Sequence, residues 1–122
     1  MRKLNFLVES EADRSVFRTL YFGFVQGGVA LHKDKDKKPR SEVRLEARIL
    51  EKLDNLCIED STQPLPWKLV KDGSVVLTDE EYELVDKHLD HVNWPTGSAR
   101  EAARLFDYWG QAEKVSEIGK SA

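Results

Sequence analysis

The stretch Trp67-Lys68-Leu69-Val70-Lys71-Asp72-Gly73-Ser74-Val75-Val76-Leu77-Thr78-Asp79-Glu80-Glu81 decides how the chain is read. Two apolar runs flank Asp72-Gly73, a dipeptide that tolerates the positive φ angles of a type I′ turn. Residues 67–77 therefore read as a β-hairpin. Thr78 and Glu81 form a capping box, so a helix starts directly from the second hairpin strand. Tyr82, Val85, Leu89 and Val92 recur at helical spacing as its buried face. Trp94-Pro95-Thr96-Gly97 breaks that helix. Ser98 with Glu101 is a second capping box, opening a helix lined by Ala102, Leu105, Phe106, Trp109 and Ala112.

Upstream, residues 3–9 alternate, with Leu4, Phe6 and Val8 on one side, and read as a strand. Ser10 caps a helix whose first turn carries Glu11 and Asp13, and Val16, Phe17, Leu20, Tyr21 and Phe24 make its apolar stripe. Gly27-Gly28 is expected to end it. Residues 32–40 hold almost nothing to bury and read as a mobile basic loop. Ser41 begins another helix, with Leu45, Ile49, Leu53 and Leu56 on one stripe and Val43, Leu50 and Cys57 beside it. Residues 59–66, with Pro64 and Pro66, read as an irregular crossing. The fold expected is α+β: about four helices, an N-terminal strand and one β-hairpin, with the helices packed on a small sheet. It reads as a single domain, 1–122, with a tail that frays after 115.

A chain of 122 residues is one domain's worth and can build one core without staples. Its apolar share of 40% is too high for disorder, and a formal charge of −3 gives no general attraction to nucleic acid or anionic membranes. Cys57 is the only cysteine, so no intramolecular disulfide can form. The basic, then briefly apolar start fails as a secretory signal, and no stretch has the length of a membrane span. The expected setting is a reducing cytoplasm, or that of a host cell for a virus-encoded protein.

The acidic residues raise one catalytic reading. Leu7-Val8-Glu9-Ser10-Glu11-Ala12-Asp13, at the end of an apolar strand, resembles the glutamate motif of the Toprim domain of topoisomerases, primases and OLD-type nucleases. Val29-Ala30-Leu31 followed by Asp34-Lys35-Asp36 is similar to that family's second motif, a strand ending in Asp-x-Asp. The resemblance implies a Mg²⁺-dependent nuclease, with Glu9 as general base or metal ligand and Asp34 and Asp36 as metal ligands. Ser10 stands where the family has glycine, and the spacing between motifs is short. The plainer reading puts Glu11 and Asp13 at a helix N-terminus and uses the Asp pair to solvate a lysine loop, with no metal and no cofactor.

A second reading is nucleic-acid binding through Lys33, Lys35, Lys37, Lys38 and Arg40, continuing onto Arg44 and Arg48. Asp34 and Asp36 dilute that charge, and no aromatic residue lies in the loop to stack on bases. His88 and His91 are three apart on a helix and could share a metal ion, but the pattern lacks the flanking glutamate of a metalloprotease motif. Cys57 reads as a small core hydrophobe rather than a nucleophile. Trp67, Tyr82, Trp94, Phe106, Tyr108 and Trp109 crowd the C-terminal half. Trp94, Tyr108 and Trp109 are the candidates for a protein interface, since exposed Trp and Tyr anchor such surfaces.

The segment from Trp67 to Val115, a hairpin feeding two capped helices with Trp94-Pro95-Thr96-Gly97 between them, resembles small accessory proteins of tailed bacteriophages. That resemblance implies a host or virion protein as partner and carries no functional residue with it. The expected function is a non-enzymatic, protein-binding accessory protein without membrane association. The nucleic-acid module and the Mg²⁺-dependent nuclease stand as alternatives.

Overall fold

The computed structural model describes residues 1–32, 38–63 and 65–114. The chain begins with strand β1 (Arg2–Phe6), on which Leu4 and Phe6 are buried and Asn5 is exposed. The expected alternation up to residue 9 stops at Phe6. Beyond it, the Leu7 N–H donates to Asp13 Oδ2 at 2.8 Å and the Val8 N–H to Asp72 Oδ1 at 2.7 Å. Donors satisfied by carboxylates are not available to a ladder.

Ser10 caps helix α1 (Glu11–Leu31), its Oγ accepting from the Asp13 N–H at 3.2 Å. The stripe of Val16, Phe17, Leu20, Tyr21 and Phe24 is buried, as its spacing requires. Gly27-Gly28 does not end the helix. Both glycines lie under helix α3 (Asp79–Asp90), and a Cβ on Gly27 would stand 2.8 Å from His88 Cα, nearer still to its carbonyl. The pair serves close helix–helix approach, the other use of a residue without a side chain.

Helix α2 (Arg40–Asp54) buries Ile49 and Leu53. It is shorter than its apolar spacing suggests, because Cys57 has left the helix for strand β2 (Cys57–Glu59). Strand β2 pairs antiparallel with β3 (Trp67–Leu69), Cys57 facing Leu69 and Glu59 facing Trp67. The loop between them is built on Asp60, whose Oδ1 accepts from the Thr62 N–H at 3.1 Å and from Thr62 Oγ1 at 2.6 Å.

Among the described residues β2 and β3 thus make a hairpin, but it is not the one that Asp72-Gly73 suggests. The two runs flanking that dipeptide are strands, β3 and β4 (Gly73–Leu77), and they belong to different sheets. Strand β4 pairs antiparallel with β1, from Phe6 against Gly73 to Arg2 against Leu77. On its other side β1 pairs with β5 (Glu113–Lys114), giving the order β4-β1-β5. Asp72 caps the Val8 N–H, so the Asp-Gly corner joins two sheets instead of closing a turn on itself.

The capping box at the start of α3 is present in full. Thr78 Oγ1 accepts from the Glu81 N–H at 3.2 Å, and Glu81 Oε1 accepts from the Thr78 N–H at 2.8 Å. The box at Ser98 does not form. Thr96–Ser98 is a 3₁₀ turn, with the Ser98 N–H bonded to the Pro95 carbonyl at 2.9 Å. Ser98 thus enters helix α4 (Ala99–Gly110) already turning, and its side chain makes no cap bond. Of the residues expected to line α4, Ala102, Leu105, Trp109 and Ala112 are buried, while Phe106 is 44% exposed.

One apolar cluster draws on β1, all four helices, β3 and β4. Helix α1 runs through its middle, against α3, α4 and β3. Among the described residues no helix is long and apolar enough to cross a membrane. Residues 115–122, where the frayed tail was expected, lie outside the described residues, as does 33–37 of the basic loop.

Candidate functional site

Two places in this frame bring chemistry together, both built on α1. On one face of α1, Ser15, Arg18, Thr19 and Phe22 follow one another at helical spacing. They form the floor of a cleft of about 300 Å³, walled by Gln63 and Leu65 of the β2–β3 loop and by Trp94, Ser98 and Glu101 before and within α4.

Trp94 is the apolar anchor of this cleft. Its ring lies 6.0 Å from that of Phe22 and meets Phe106 edge-on at 5.7 Å. Its Nε1 donates to the Leu89 carbonyl at 3.3 Å, and its six-membered ring covers Gly23, where a Cβ would come within 2.9 Å. The ring is thereby held half-buried with one side left to the cleft. Beside this wall stand three buried polar atoms with no hydrogen-bond partner among the described residues: Arg18 Nε, Thr19 Oγ1 and Glu101 Oε2. Their three residues all line the cleft, which thus sets a donor, a hydroxyl and an acceptor beside one apolar wall. The cleft continues past Arg18, Gln63 and Leu65 into a second hollow whose charged lining is Arg14, Arg18, Lys68 and Asp60, three cations to one acid. Asp60 is held below the usual carboxylate range by its bonds to Thr62, with Lys68 assisting, so it remains an anion.

The second place is where the end of α1 and the start of α2 meet α3. Glu42 and Glu46 are one helical turn apart on α2, and His32 follows the last residue of α1. One ligand atom from each of these three lies within 4.8 Å of the others. His32 Nε2 stands 2.5 Å from Glu42 Oε2, and Lys38 Nζ donates to both Glu46 oxygens at 2.9 and 3.1 Å. His88, fully buried, reaches in from α3. Its Nδ1 is 2.8 Å from the Phe24 carbonyl and its Nε2 is 3.4 Å from Glu46 Oε2. A carbonyl only accepts, so Nδ1 carries the proton and Nε2 presents a lone pair. Burial lowers the pKa of His88 below its ordinary 6.5, outweighing the Phe24 carbonyl and Glu46, which act the other way.

The residues singled out by sequence distribute unevenly over these places. Trp94 lines the cleft. Tyr108 is half-buried against Phe6, with ring centroids 5.6 Å apart, and its hydroxyl donates to the Asn5 carbonyl. Trp109 is in the core, stacked on Tyr82 at 4.2 Å, with Nε1 donating to Asp86 Oδ1 at 3.1 Å. Lys38 is held by Glu46, while Arg40, Arg44 and Arg48 are exposed along α2. Lys33, Lys35, Lys37, Asp34 and Asp36 lie outside the described residues. Glu9 is exposed after β1, and Val29-Ala30-Leu31, a strand in the Toprim resemblance, forms the last turn of α1. His88 and His91 do not converge: His91 is exposed and its Nδ1 bonds the Lys87 carbonyl at 2.9 Å. Cys57 is half-buried, and burial, helped by Asp54, pushes its thiol up to about 11, which suits packing rather than nucleophilic chemistry.

Arg18, Thr19 and Phe22 escape sequence reading because they form a second stripe beside the stronger apolar one on α1, and Glu101 because it stands on α4 and reads there as half of a capping box. The Ser15-Arg18-Thr19-Phe22 spacing is the visible trace of that stripe. His88 carries a clearer signal, falling three residues after Val85 and thus within the apolar face of α3. No protein-family model, curated protein sequence or solved structure matches the chain.

Proposed function

We propose that the chain is a non-enzymatic binding protein that captures an extended polypeptide segment of a partner protein along the α1 cleft. The observation that carries this reading is the juxtaposition in that cleft of the Phe22–Trp94 wall with the unpartnered Arg18 Nε, Thr19 Oγ1 and Glu101 Oε2. Leaving such atoms buried and unbonded costs roughly 1–3 kcal/mol each, a penalty that a bound backbone or side chain removes. The volume of about 300 Å³ suits one large apolar side chain, not a helix. The cationic end at Arg14, Arg18 and Lys68 favours an acidic residue beside that anchor, and Glu101 at the other end takes a donor. The ligand expected is thus a short segment with an apolar anchor flanked by Asp or Glu.

A single half-buried cysteine fits a reducing, cytoplasmic setting for this encounter. Selection from a displayed random-peptide library tests the reading. Enriched peptides should carry the apolar–acidic pattern, and Trp94→Ala should weaken them by about thirtyfold, the effect of an anchor worth ~2 kcal/mol. Glu101→Gln, which leaves the wall intact, should weaken them as well. No enrichment, or binders indifferent to both substitutions, would overturn it.

A further inference from the structure

The junction of α1, α2 and α3 is not used by the peptide cleft, and its chemistry is of another kind. It assembles two carboxylates and two imidazoles from three helices. We infer that His32, Glu42, Glu46 and His88 form a binding site for a divalent first-row transition ion such as Zn²⁺.

The cluster alone would not carry this. His88 does: its side chain is 0% exposed, its Nε2 has no hydrogen-bond partner among the described residues, and it is aimed at a carboxylate 3.4 Å away. With the proton fixed on Nδ1 by the Phe24 carbonyl, a lone pair on Nε2 faces the lone pairs of Glu46 Oε2. Two acceptors facing each other repel unless a cation lies between them. The arrangement matches metal-ligating histidines, whose second nitrogen donates to a backbone carbonyl that fixes ring and tautomer. Two ligands about 2.1 Å from a tetrahedral ion are about 3.4 Å apart, the separation seen here.

The surroundings hold that geometry. The Phe24 ring stacks on His88 with centroids 4.6 Å apart. Gly28 backs the imidazole so closely that a Cβ would lie 3.0 Å from His88 Cε1, which explains a glycine inside a helix at this point. Both ring nitrogens of His32 and Glu42 Oε2 also lack aligned hydrogen bonds among the described residues. An ion between His32 Nε2 and Glu42 Oε2 would separate the two residues and satisfy both of these atoms. Two carboxylates neutralise a divalent charge, and two imidazoles select against Mg²⁺ and Ca²⁺, which take oxygen ligands.

Lys38 is the competitor. Its Nζ bonds both oxygens of Glu46, so metal and lysine claim the same carboxylate. An ion would displace it and tie the three helices together.

The experiment uses the untagged, chelator-treated full chain, with Zn²⁺ followed by calorimetry and Co²⁺ by its visible d–d spectrum. One ion per chain is expected, with the spectrum of a tetrahedral N₂O₂ site. His32→Asn and Glu42→Gln, neither in the main core, should each weaken Zn²⁺ by about tenfold or more. Lys38→Met should tighten it, an outcome no adventitious surface site would give. Exposed His91 is the control, and His91→Gln should change nothing. Absence of stoichiometric binding, affinity indifferent to His32→Asn and Glu42→Gln, or loss through His91→Gln would each overturn the assignment. None of these outcomes bears on peptide capture in the α1 cleft.

Discussion

Replacing Gly27 with alanine should destabilise the protein by about 3 kcal/mol, although alanine is the better helix former. A Cβ built at Gly27 stands 2.8 Å from His88 Cα, and closer still to its carbonyl carbon and oxygen, where ordinary contact needs 3.4–4 Å. These are backbone atoms of α3 and cannot rotate away, so the helices must separate. Overpacking of this kind costs roughly 1–3 kcal/mol. Separation also stretches the 2.8 Å bond between His88 Nδ1 and the Phe24 carbonyl, and a buried donor left unbonded costs roughly another 1–3 kcal/mol. The helix-propensity gain of Ala over Gly returns about 1 kcal/mol. The net loss of ~3 kcal/mol should lower the urea midpoint by about 1.5 M at a slope near ~2 kcal/mol/M. Gly110→Ala is the matched control, because nothing lies within 4 Å of a Cβ there. It should be neutral or stabilising by up to ~1 kcal/mol. If Gly27→Ala behaves like Gly110→Ala, then α1 and α3 do not approach as described and the placement of His88 is wrong.

Glu81 closes the capping box and also pairs with Lys52 Nζ at 2.5 Å, and Lys52 is itself bonded to the Val76 carbonyl at 2.8 Å. Because Glu81 is buried while Lys52 is a third exposed, Glu81→Ala should cost about 2–4 kcal/mol in urea denaturation, against ~1 kcal/mol for Thr78→Ala. Acidification should destabilise the metal-free protein. His88 has a folded pKa below its ordinary 6.5, so the unfolded chain binds the proton first. His88 therefore costs no stability above about pH 6.5, and stability falls as pH drops toward its folded pKa, by up to ~1.4 kcal/mol per pH unit. The groups facing His88 are Glu46, Glu42, Lys38 and the Phe24 carbonyl. Thermal melts of wild type and His88→Asn across this range should differ in slope, and parallel curves would remove His88 as the cause. With its thiol at about 11 rather than the ordinary 9.0, Cys57 should carry about a hundredfold less thiolate than an exposed cysteine. Alkylation by iodoacetamide at pH 8 should be slower by a comparable factor in the native protein than in urea.

What could be read from the sequence follows from how local each signal is. The Ser10 cap, the Thr78–Glu81 box and the α1 apolar stripe are satisfied by neighbours within one or two turns, and they stand in the structure as the residues suggest. Strand pairing is not local. Asp72-Gly73 separates two strands in either outcome, but β4 crosses to β1 instead of returning to β3, and the Val8 N–H bonds Asp72 there from sixty-four residues away. Glycine carries a similar ambiguity. Gly27-Gly28 reads as a stop when only its own helix is considered, and becomes a contact surface once α3 is laid across it. The candidate sites were the least legible part. Trp94 stands out in the sequence and lines the cleft, while Arg18, Thr19 and Glu101 come together with it only when the turn before α4 is brought to α1. His88 looked like one of a histidine pair with His91, yet its partners are on α1 and α2.

Site-specific photo-crosslinking tests peptide capture most directly. A photoreactive aromatic amino acid at position 22, in the cleft floor, and at exposed position 80 on α3 as reference, would be irradiated in cells that express the protein. A discrete protein adduct through position 22, absent from position 80 and abolished by Glu101→Gln, is the expected result. No adduct at position 22, or the same products from both positions, would contradict a polypeptide-binding cleft on α1.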